Sequence, residues 1–113
     1  MKVVAVFDDL LLGSNVLGML QAAGHEAALS GSADVDPAGA AVLIVDLAGF
    51  DGVGMIERLR ASGALEGTAT LGVYSHVHHD VRLRAEAAGF DLVVPRSRMA
   101  REGAALVERL AGT

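Results

Sequence analysis

Residues 41–62 read AVLIVDLAGFDGVGMIERLRAS. The run 41–45 is apolar without a break and rich in β-branched residues, as expected of a strand buried on both faces. It stops at Asp46. After a short glycine-bearing loop, Val53, Ile56 and Leu59 recur at helical spacing. That period predicts a helix over 53–62, with Gly63 placed to end it. A strand feeding a helix after so short a loop is one βα unit, and the chain repeats the pattern on either side.

Upstream, residues 3–7 (VVAVF) form a second apolar run that meets Asp8 and Asp9. A helix is expected over 14–23, with Val16, Met19, Leu20 and Ala23 on one face and Gly24 just past its end. Residues 27–29 read as a weak edge strand. The stretch 31–39 is the most polar and turn-rich, with room for a turn or two of helix. Downstream, a strand over 70–74 stops at Ser75, and a helix follows over 80–88. A last strand over 92–94 runs through Pro95 to Arg96. The final helix is expected over 99–110, with Gly103, Leu106, Val107 and Leu110 as its buried stripe. The fold class is therefore α/β: a doubly wound parallel sheet of five strands with four or five helices. Such sheets bind ligands outside the carboxyl ends of their strands. This brings Asp8, Asp9, Asp46, Ser75 and Arg96 to one rim.

Composition narrows the function. The 113 residues suffice for one domain, 1–113, with a modest core. Hydrophobic residues make up 52% but aromatics only 4%, so Val, Leu, Ala and Ile must build that core. The net charge of −5, with Lys2 the only lysine, argues against a nucleic-acid surface. Cysteine is absent, which excludes disulfides and thiolate metal sites and suits a reducing compartment. No signal peptide and no membrane-length apolar stretch is seen, so no membrane partner and a cytoplasmic location are expected.

The rim residues suggest a chemistry. Carboxylates at Asp8, Asp9 and Asp46 are hard oxygen ligands suited to Mg²⁺, and a cation would relieve their mutual repulsion. Asp46 could then act as an oxygen nucleophile toward a phosphoryl donor. The Ser75 hydroxyl and the Arg96 guanidinium could contact the product's oxygens. The alternative is that these aspartates cap or precede helices.

The order Asp-Asp, Asp, Ser, basic residue, each at a strand end, resembles the receiver domain of two-component response regulators. VVAVFDD, LQAAGHEA, LIVDLAGFDGVGMIERLR and RAEAAGFDLVVPRS share its texture across nearly the whole chain. The resemblance implies a flavodoxin-like, CheY-like sheet in the order 2-1-3-4-5 with a shortened second helix. It implies Mg²⁺ at Asp8 and Asp9, with Asp46 as phosphoacceptor and the Ala48 carbonyl as a further metal ligand. Ser75 matches the hydroxyl that follows the phosphoryl group. It also implies a non-enzymatic signalling module whose partner is a protein, a kinase of a phosphorelay or an output protein. No output domain follows the last helix, so output is expected to pass through that partner. The family's face for partner contacts and homodimers maps to the helix over 80–88, the last strand and the final helix. Phe90, Val93 and Met99 lie in or beside it.

Several positions depart from the family. Its lysine falls at Arg96, which keeps the charge but changes reach and geometry. The proline expected next is Ser97, and Pro95 stands before the basic residue instead. The switch aromatic falls at Val93, and the small residue after the hydroxyl falls at His76. The loop after Asp46 is short. These departures point to a pseudo-receiver in which aspartyl phosphorylation is altered or lost. The alternative is a working phospho-receiver.

A second cluster, HVHHD, holds His76, His78, His79 and Asp80. Imidazoles and a carboxylate so spaced could bind a transition metal, which would make the chain a metal- or small-molecule-binding module. The simpler reading is an exposed loop whose Asp80 caps a helix. Gly13-Ser14 with Gly18 invites a phosphate-loop reading but lacks the Lys-Ser/Thr ending. Arg82, Arg84, Arg96, Arg98 and Arg101 could form a basic docking patch, but Glu86 and Glu102 dilute it and the simpler reading is a solvated face.

Overall fold

The structure is a computed structural model that describes residues 1–31, 35–75 and 78–112. The elements follow in the order β1 (Lys2–Val6), α1 (Leu10–Ala22), β2 (Glu26–Ser30), β3 (Val42–Asp46), α2 (Gly52–Ala61), β4 (Ala69–Tyr74), α3 (His79–Ala87), β5 (Leu92–Pro95) and α4 (Arg96–Gly112). All strand pairs are parallel, and the sheet order is β2-β1-β3-β4-β5. Val42, Leu43, Ile44 and Val45 of β3 are fully buried, because the central strand is covered on both sides.

Side chains alternate between two cores. Val3, Ala5, Val42, Ile44, Leu71 and Val73 face α1 and α4, where they meet Val16, Leu20, Met99, Leu106 and Val107. Val4, Val6, Leu43 and Val45 face α2 and α3, where they meet Met55, Ile56, Ala85 and Phe90. The period of two along each strand sorts these residues. Among the described residues no helix is long and apolar enough to cross a membrane.

Two expectations are corrected. The first helix begins at Leu10, not at residue 14, because Asp9 caps it: its Oδ1 accepts from the N–H of Leu11 and of Leu12, each at 3.1 Å. Gly13 and Ser14 therefore lie inside α1. Gly13 is needed there for contact, since a Cβ would stand 2.9 Å from the Phe7 Cβ and 3.0 Å from a Leu29 methyl. The shortened second helix is not found among the described residues between β2 and β3. Residues 35–41 instead make a tight turn, with Ala40 N–H bonded to Pro37 O at 2.9 Å. Asp36 accepts from Ala38 N–H, and Lys2 Nζ donates to Ala38 O. Val35 packs on the second core, but Ala28 of β2 stays exposed.

The end of the sheet remote from the rim is tied by a polar knot between buried Thr70 and exposed Asp91. Thr70, fully buried, donates to Asp91 Oδ2 from its N–H at 2.7 Å and from its hydroxyl at 3.1 Å. Asp91 N–H returns a bond to the Thr70 hydroxyl at 3.1 Å. Asp91→Ala leaves those donors without the carboxylate and is expected to lower stability by about 1–3 kcal/mol. A urea midpoint shift measures it, and an unchanged midpoint would contradict the assignment.

Candidate functional site

Asp46 is the last residue of β3 and is fully buried. The turn after β3 folds back on it, so that Ala48 N–H donates to its Oδ1 at 3.1 Å. Arg96 is the first residue of α4, directly after β5. Its NH2 donates to Asp46 Oδ2 at 3.1 Å and lies 3.4 Å from Oδ1. Its NH1 lies 3.6 Å from Asp9 Oδ2. The guanidinium therefore sits between the carboxylates that close β1 and β3. The Arg96 Nε is buried with no hydrogen-bond partner, so the head group is held by its outer nitrogens.

Asp8, Asp9, Asp46, Ala48, Gly49 and Arg96 line one rim cavity of about 230 Å³. Gly49 belongs to this site although no motif flags it. Its φ is +86°, and a Cβ there would run into the Asp8 carboxylate. Ser75, half-buried just past β4, is not among the lining residues, and its carbonyl accepts from His78 N–H at 2.9 Å. The strand-end reasoning thus brings Asp8, Asp9, Asp46 and Arg96 together and leaves Ser75 outside their cavity. Ala48 joins the site, and the contact made there is its N–H on Asp46.

The helix-capping alternative is right for Asp9 alone of the three. Asp9 caps α1 with one oxygen and faces Arg96 with the other. Among the described residues no three His, Asp or Glu side chains are placed to hold a metal ion. The acidic residues do not fit an Mg²⁺ site as arranged, because Asp46 already faces an internal cation. His76 lies outside the described residues. His78 and His79 are exposed at the start of α3, and the His78 side chain makes no capping bond.

The three residues expected in or beside the interaction face turn inward. Phe90 and Met99 are buried, one in each core, and Val93 is half-buried against the second. Helical period and strand position give their element but not their direction. The outer arginines are spent locally: Arg82 pairs with Glu86 at 3.1 Å, and Arg98 and Arg101 pair with Glu102 at 3.5 Å.

No family model matches the sequence, and no curated protein matches it. Solved structures do. A response regulator from Thermotoga maritima superposes with a TM-score of 0.79 at 14% identity, covering 99% of this chain and 98% of that one. The signal receiver domain of the putative response regulator NarL from Mycobacterium tuberculosis gives 0.73 at 21% identity, covering 98% and 95%. An atypical orphan response regulator, described with a phosphorylation-independent regulatory mechanism, gives 0.80 at 15% identity, covering 99% and 96%. The chain has the receiver fold. The receiver likeness spans it almost end to end, and the strand order is the one expected.

Burial pushes the Asp46 carboxyl above the ordinary aspartate value of 3.8. The Ala48 N–H and the Arg96 charge pull against burial, while Asp9 adds to the upward push. A raised folded value means that the native state binds the proton more tightly than the unfolded chain. The Asp46 contribution to stability is then fullest below the ordinary aspartate range and falls as pH climbs through the raised value. Asp46→Asn removes that loss. The stability gap between variant and wild type should move in the variant's favour as pH rises above the ordinary aspartate value, read by urea unfolding at each pH. A gap independent of pH would contradict the assignment.

Proposed function

We propose that this chain is a receiver-like signalling module that acts by binding a protein partner, with aspartyl phosphorylation lost or strongly altered. The Arg96 guanidinium lying on both oxygens of buried Asp46 carries this reading. An aspartyl nucleophile needs a free carboxylate oxygen and a cation that can also grip the incoming phosphoryl group. Here the cation is part of the chain and already holds the carboxylate. A phosphoryl group would have to displace it. The atypical orphan response regulator of the same fold is described with a phosphorylation-independent regulatory mechanism, which supports this reading. With no nucleophile to use, the domain does no catalysis, and its output is a surface read by a kinase or an output protein.

The rim cavity favours a second reading, since Asp8, Asp46 and Arg96 do share it. In that reading Asp46 is a working phosphoacceptor and Asp8 and Asp9 hold Mg²⁺. Acetyl phosphate or a phosphoramidate with Mg²⁺ separates the two. Intact-mass analysis should show no phosphate-sized increase. An increase that disappears in Asp46→Ala overturns the proposal and installs the second reading.

The same argument predicts a gain of function. Arg96→Ala frees Asp46 and Asp9 from their internal cation, beside Asp8 in the same cavity. Mg²⁺ at about 100 times its dissociation constant should then stabilise the variant by about 2.7 kcal/mol. The wild type should show no shift in Tm. A wild-type Tm that climbs with Mg²⁺ as steeply as the variant's would rule the internal cation out.

A further inference from the structure

Behind the rim, the start of α2 and one face of α3 enclose a hollow of about 250 Å³ that shares no residue with the rim cavity. Leu47, Phe50, Val53 and Val81 give it an apolar wall. Leu47 is buried, and the other three are half-buried against the second core. Asp51 and Arg84 bring two opposite charges to the same lining. Val81 and Arg84 stand three apart on α3 and so share one face of it. Asp51 is exposed and commits one oxygen, Oδ1, which accepts from Gly54 N–H at 2.9 Å. Among the described residues Arg84 makes no ion pair, whereas its neighbour Arg82 holds Glu86. A carboxylate and a guanidinium thus line one hollow without pairing with each other.

We propose that this hollow binds a free α-amino acid with an apolar side chain. The ammonium lies on Asp51, the carboxylate on Arg84, and the side chain against Leu47, Phe50, Val53 and Val81. The two charges select the guest. An uncharged apolar guest would strip water from Asp51 and Arg84 and put nothing in its place. A guest of one sign would pair with one of them and leave the other uncompensated. An ammonium and a carboxylate on one carbon answer both, and a guanidinium can grip a carboxylate through two parallel N–H bonds. A peptide carries those two charges at opposite ends of its chain. Only the free amino acid brings them together in so small a space.

Size points the same way. Pockets for drug-sized ligands span about 300–1,000 Å³, and this one falls below that range. Its guest is therefore on the scale of leucine or methionine. The hollow and the rim are separate, so the proposal stands whether or not Asp46 accepts a phosphoryl group.

Two-dimensional amide NMR of the full chain, titrated with L-leucine to about 20 mM, tests this, and the same spectra confirm that each variant is folded. The amides of Leu47, Val53 and Val81 should shift and saturate, with a dissociation constant of about 1 mM or below. 4-Methylpentanoate, which lacks the ammonium, and leucinamide, which lacks the carboxylate, should each bind about tenfold more weakly or worse. Arg84→Gln should weaken leucine by about tenfold. Asp51→Asn, which keeps an oxygen for the Gly54 N–H, should do the same. Arg82→Gln removes the same charge from α3 outside the hollow and should leave the affinity unchanged. No shift at these three amides overturns the proposal. So does 4-methylpentanoate or leucinamide binding as tightly as leucine, or an affinity that Arg84→Gln and Asp51→Asn leave intact or that Arg82→Gln lowers equally.

Discussion

A carboxylate buried at the end of the central strand demands a counter-charge, and the contact between Asp46 and Arg96 supplies it. Asp46 has no exposed surface, so its ionised form has lost its water. The Ala48 N–H replaces one solvent contact, and one Arg96 nitrogen spans both oxygens. The bond joins residues 50 positions apart in sequence and holds the start of α4 against the end of β3. Breaking such a pair from one side is worse than never having it, because the remaining charge stays buried. A lysine would offer a point charge on a flexible stem. The planar fork of arginine reaches Asp46 and Asp9 together, at 3.1 and 3.6 Å.

The fold class was legible because the strands leave no ambiguity of period. Apolar runs at 3–7, 41–45 and 71–74 can be buried only on two faces, which calls for helices on both sides. The rim was legible for the same reason: each run stops at a polar residue, and parallel strands bring those stops together. Side-chain direction was not legible. Ser75 follows its strand as Asp46 follows β3's apolar run, yet only Asp46 lines the cavity. Met99 lies in α4 and Phe90 just ahead of β5, but both point inward, into opposite cores.

Other misses have local causes. Ser14 looks like a helix start because serine favours N-caps, but Asp9 already occupies that role five residues earlier and claims Leu10–Gly13 for the helix. The stretch after β2 has the polarity of a turn and was given room for a little helix. Its described part is a turn closed by Pro37, with Val35 as its contribution to the core. The consequence is a lightly covered edge: Ala28 is exposed where Val4, its partner on β1, is 5% exposed.

Asp9 connects the rim to the first helix. One of its oxygens caps α1 through two N–H groups, an arrangement worth about 1 kcal/mol to a helix, and the other faces Arg96. The same carboxylate therefore serves the charge balance around Asp46 and the first turn of α1, which carries Leu10 and Leu11. A guanidinium that moved off Asp46 would change the charge beside Asp9, and Asp9 could not follow it without uncapping the helix. One side chain thus touches both the ion pair at the rim and the first turn of α1.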